Sequence, residues 1–100
     1  MNKIKKYVED INDELEGAKC YIEKALWYKA KGNTTRYATY RDMSTDELQH
    51  ASNLHTFAVE DIAALEKVYP DIPEDMMKAW QDSHNEYVEK VAWIKQMQNM

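Results

Sequence analysis

One hundred residues, 31% charged and 44% hydrophobic, with only two glycines and two prolines, describe one compact helical domain rather than several domains or a disordered tail. The formal net charge of -5 argues against a broad attraction to nucleic acid or anionic membrane, despite the short basic start at Lys3, Lys5 and Lys6. No apolar run approaches the roughly 20 residues that span a bilayer, and the first residues lack the apolar stretch of a signal peptide, so a cytoplasmic protein without membrane or nucleic-acid partners is expected.

The first predicted helix runs from about residue 3 to 31, because Ile4, Val8, Ile11, Leu15, Ala18, Ile22 and Ala25 recur at three- and four-residue spacing. The lone Cys20 within it cannot form an intramolecular disulfide and reads as a bystander. Gly32-Asn33 supplies a left-handed stop followed by a cap. A second helix over about 34–68 then carries Tyr37, Tyr40, Ala51, Leu54, Ala58, Ile62 and Leu65 inward. The segment Tyr69-Pro70-Asp71-Ile72-Pro73 breaks it, and Asp71 with Glu74 reads as a capping box opening a third helix over about 73–98. Its expected apolar stripe is Met77, Trp80, Tyr87, Val88, Val91 and Ile94. The fold class is therefore all-α, with three long antiparallel helices.

At about 1.5 Å rise per residue these helices are each on the order of 40 to 50 Å long and make a thin bundle. On a helical wheel Trp27 and Trp93 lie opposite their helices' main stripes. Large aromatics on an outer face often mark partner surfaces, so self-association into a homodimer or higher oligomer is expected; scattered exposed apolar residues are the plainer alternative.

One constellation carries chemistry. Tyr7, Glu14, Tyr21 and Tyr28 recur every seven residues along one flank of the first stripe, which places Glu14 among tyrosines near the core. On the second helix Glu47 faces the core and His50, three residues on, sits at the stripe's edge beside Met43 and Phe57. A carboxylate near a core is costly unless it is paired or metal-bound. A rival job exists for Glu47: Ser44-Thr45-Asp46-Glu47 reads as a capping box that would start a helix at Thr45. The inward Tyr37 and Tyr40 upstream argue that the helix passes through Ser44 instead. For His50 the rival is a hydrogen-bonded histidine at the core edge, and for Glu14 an acid paired with a lysine.

Asp13-Glu14-Leu15-Glu16 with Tyr21, followed by Asp46-Glu47-Leu48-Gln49-His50-Ala51, resembles the ferritin-like di-iron superfamily, and most of all the encapsulated ferritins and other short ferritin-like proteins. In that superfamily a Glu on the first helix is followed by a Tyr seven residues on, and the second helix carries Glu-x-x-His. The likeness covers about residues 10 to 65. It implies that Glu14 is a terminal metal ligand, Glu47 a bridging carboxylate, His50 an imidazole ligand and Tyr21 a hydrogen-bonding partner behind them. It also implies iron, two ions per dimer interface, with manganese or another divalent metal as alternatives. A full di-iron site takes a Glu from each of two helices and Glu-x-x-His from two more, and this chain supplies one of each. The third helix cannot complete the set, because Glu86 and Glu89 fall on its polar side. A symmetric homodimer can. His84 has no counterpart in the motif and is a weaker additional ligand candidate; His55 also points inward, and Asp61 lies too far along the helix. The peptide address of encapsulin-shell cargo is not visible after Gln96, so loading into such a shell is not expected.

The implied function is a ferritin-like metal-binding protein, with ferroxidase activity if it is catalytic. The alternatives are a non-catalytic helical interaction module that keeps the scaffold without metal, and a metal site that only staples the dimer.

Overall fold

The three apolar stripes become three helices in the computed structural model, which describes residues 2–100: α1 (Asn2–Ala30), α2 (Thr34–Val68) and α3 (Glu74–Gln98). Among the described residues no helix is long and apolar enough to cross a membrane. The first turn forms as the Gly-Asn pair predicts. Gly32 takes φ +77°, a conformation that costs a Cβ-bearing residue dearly, and the Asn33 side chain accepts a hydrogen bond from the Arg36 amide at 3.0 Å. The second turn departs from expectation. Pro73 is the N-cap of α3 and its carbonyl accepts from the Met76 and Met77 amides, so no side-chain cap forms and the expected Asp71–Glu74 capping box is absent. A proline has no amide of its own to satisfy, which makes it an inexpensive entry to a helix.

The core is a narrow seam. Ile4, Ile11 and Leu15 of α1 meet Leu48, Ala51, Ala58 and Ile62 of α2 and Trp80 and Ile94 of α3, and Ile22 is likewise buried. The fully buried alanines Ala18, Ala25, Ala51 and Ala58 leave room for the backbones to approach. Along α1 and α2 rising residue numbers meet falling ones: Tyr7 hydrogen-bonds Asp61, His50 approaches Glu14, and Ser44 meets Ala18. α3 leans chiefly on α1 and touches α2 at fewer places, notably His55–His84 and Ser44–Gln98.

Ser44 ties all three helices together. Its fully buried hydroxyl donates to the Ala18 carbonyl at 2.7 Å and accepts from Gln98 Nε2 at 3.0 Å. It is a residue inside α2, ten positions beyond the helix start, so the helix runs unbroken through it and Glu47 is no cap. Val88, expected in the α3 stripe, is 52% exposed, while Ser83 is buried. Because α3 packs on α1 more than on α2, its inward direction is rotated away from Val88.

The principal extents are 55 × 18 × 17 Å and the radius of gyration is 16.2 Å, against about 13 Å for an ordinary domain of this length. The molecule is a rod with little interior, and Trp27 and Trp93 stand on its surface at 57% and 43% exposure.

Candidate metal centre

Two helices bring the candidate ligands together. Glu14 comes from the middle of α1, and Glu47 and His50 come from one face of α2, one turn apart. One ligand atom from each lies within 4.8 Å of the others. His50 Nδ1 stands 3.4 Å from Glu14 Oε2 and 3.9 Å from Glu47 Oε1. The two glutamate side chains are about equally shielded, 29% and 28% exposed, and His50 is more open at 55%.

The electrostatics of the trio are tense. Glu47 is held above its ordinary carboxylate range, first by its hydrogen bond to the Glu14 carboxyl, then by burial and by the Glu14 charge, while His50 pulls the other way. Two carboxylates with oxygens within 4.8 Å of each other repel unless a proton or a cation lies between them. The neighbouring imidazole offers a ring nitrogen on the same side. Two carboxylates and one imidazole with no thiolate form a donor set that could hold a metal ion.

The remaining candidates sit elsewhere. Tyr21, expected behind the ligands, makes no hydrogen bond to them among the described residues; its ring lies against Tyr40, centroids 6.2 Å apart, and Tyr40 stacks in turn on Tyr28 at 5.5 Å. Asp61 accepts from Tyr7 and pairs with Lys3 at 3.0 Å, near the far end of α2. His84 does not join the trio. Its Nδ1 faces His55 Nε2 at 2.8 Å across the α2–α3 seam, and His55 stacks on Tyr87 with centroids 4.1 Å apart and planes 8° from parallel.

That histidine pair predicts an acid sensitivity of the fold. Burial first, and the facing His84 second, hold the His55 imidazole below its ordinary value. An unfolded histidine titrates near pH 6.5, so in the window below that value the unfolded chain binds more protons than the folded one. The stability supplied by the neutral pair is therefore complete above about pH 6.5 and is lost as pH falls through the folded value. Thermal melts from pH 7.5 to 5 should show a falling midpoint, and His55→Phe, which keeps the stack on Tyr87, should flatten that slope. Parallel slopes in parent and variant would remove His55 as the cause.

One residue of this site had not been singled out in the sequence. Gly17 lies on the ligand side of α1, one turn after Glu14, and a Cβ there would stand 2.9 Å from Glu47 Oε2. The only sequence signal was a glycine in a helix interior, where it costs about 1 kcal/mol relative to alanine.

The chain matches no family model, no curated protein and no solved structure.

Proposed function

We propose that the chain is a ferritin-like metal-binding protein whose three antiparallel helices form half of a bundle, and that a second copy completes both the bundle and a dinuclear iron site. The observation that carries this reading is the convergence of Glu14, Glu47 and His50 from two helices to within 4.8 Å. Three donors fall short of a di-iron centre, whereas two copies related by a two-fold axis supply four carboxylates and two imidazoles, the full complement of that superfamily. The slender shape supports it. The accessible surface of 6560 Å² exceeds the roughly 5,900 Å² expected of a monomer of this mass, and Phe57, two turns from His50, is 52% exposed.

Iron in this reading is the substrate, and the reaction is ferroxidation. Two Fe(II) each lose one electron, and one dioxygen takes both with two protons and leaves as hydrogen peroxide. The side chains have distinct jobs. Glu14 and Glu47 would hold the cation from two sides, and their negative charge favours the trivalent product over the divalent substrate. His50 would supply a ring nitrogen that fixes the cation's position on the α2 side. The scaffold holds these groups on helix interiors rather than loops.

A non-catalytic interaction module is the second reading, and the surface exposure of Trp27 and Trp93 favours it. One experiment separates the two. Metal-free protein is titrated anaerobically with Fe(II), with iron per chain and mass in solution measured together, and oxygen is then admitted while ferric absorbance is followed. The expected outcome is one iron per chain in a dimer and a catalysed rise in absorbance. A dimer without iron supports the interaction module, and an iron-bound dimer with no catalysed absorbance supports a structural staple.

A further inference from the structure

Helix α1 passes through the candidate centre with a glycine at its midpoint. Gly17 has an ordinary helical backbone, since Gly32 is the one glycine with positive φ, so backbone geometry does not call for a glycine here. The helix would be firmer with alanine at this position. What the missing side chain leaves is a notch. Glu47 Oε2, Cδ and Cγ would lie 2.9, 3.4 and 3.5 Å from a Cβ at residue 17, the first of these closer than atoms can pack. The carboxyl of Glu47 is thus laid against α1, with one of its oxygens within 4.8 Å of a Glu14 oxygen. A methyl group at residue 17 leaves the helices where they are, because the atom it strikes is the free end of a flexible side chain. It drives that end out of the notch, away from Glu14.

We infer that Gly17 is a positioning residue for the metal centre: its bare backbone seats the Glu47 carboxylate so that Glu14 and Glu47 address the same cation. The inference rests on the metal-binding reading above. Helix stability and site geometry oppose each other at this one position, and the glycine settles the conflict in favour of the site.

The two effects separate in a single substitution, Gly17→Ala. In the metal-free state the variant should melt at the same temperature as the parent or a few degrees higher, since it gains helix propensity and Glu47 swings aside freely. In the metal-bound state the displaced carboxylate should lower affinity 10- to 100-fold, the range typical of residues that orient a ligand without touching the metal. The probe is Co(II), which is not oxidised under the assay conditions, added anaerobically to parent, Gly17→Ala and Gly17→Ser and followed by calorimetry and by its visible absorption. Gly17→Ser places a comparable Cβ in the notch and should lose affinity as well. Equal Co(II) affinity in parent and variants overturns the role of Gly17 while the metal site stands. No Co(II) binding by the parent overturns the metal reading and this inference with it. A markedly lower metal-free melting temperature in Gly17→Ala also overturns the inference, since it would make Gly17 a packing residue between α1 and α2.

Discussion

Replacing Glu47 with alanine is expected to abolish metal uptake and leave the three helices folded. Glu47 carries no part of the core: its side chain is about one quarter exposed, and its one polar partner in α1 is the Glu14 carboxyl. That contact holds Glu47 above its ordinary carboxylate range, so its removal relieves a strained ionisation instead of costing stability. Function suffers differently. In the proposed dimer one substitution deletes two bridging carboxylates, and the loss in affinity should exceed the roughly 10–100-fold cost of disturbing a residue that only orients a ligand. Iron per chain after anaerobic loading should fall to background, with a melting temperature at or above that of the metal-free parent. Asp46→Ala, an exposed neighbour on α2, should bind as the parent does. Parent-like iron content in Glu47→Ala would remove Glu47 from the site.

The largest stability effect is expected one residue away from a ligand. Leu15 adjoins Glu14 in sequence, but the helical turn of about 100° sends it into the seam, where it is 1% exposed. Leu15→Ala deletes buried methylene and methyl groups and opens a cavity, at a cost of about 2–5 kcal/mol. A rod with so little interior has few neighbours able to close in on the gap, so the upper half of that range applies. At about 4–8 °C per kcal/mol for a domain of this size, the midpoint should drop by more than about 10 °C. Thermal unfolding followed by far-ultraviolet circular dichroism measures it. A drop of under about 4 °C would mean that the α1–α2 seam repacks around the missing side chain. The adjacent pair thus separates fold from chemistry: truncation at Leu15 weakens the molecule, and truncation at Glu14 weakens its ligand set.

Much of this architecture is legible in the chain because each helix writes its own periodicity. The stripe from Ile4 to Ala25 repeats every three or four residues, and its four isoleucine and leucine positions are buried. The placement of Glu47 inside a helix followed from Tyr37 and Tyr40 upstream, which a helix starting at Thr45 would have stranded. The misses are relations between helices. Val88 reads as inward on a wheel, yet a wheel has no information on which neighbour α3 leans against. The His55–His84 contact joins residues 29 positions apart across a seam, and no local pattern announces it. Gly17 is the clearest case: its meaning lies in the distance to an oxygen on another helix, and the sequence offers only a small residue where a better helix former would serve. Asp71 failed for a local reason: the helix begins two residues later than a cap at Asp71 would place it, with Pro73 as its N-cap and no side-chain cap bond.

The uneven packing of the three helices separates what breathes from what must hold still. α1 and α2 share the longest seam and carry the candidate ligands Glu14, Glu47 and His50 between them, whereas α3 rests on α1 and meets α2 at few points. Local opening follows the weaker contacts, so amides of α3 should exchange with solvent ahead of those around Glu14 and Glu47. The third helix can therefore detach at its edge on a fast clock, while the hairpin of α1 and α2 that carries Glu14, Glu47 and His50 keeps its shape.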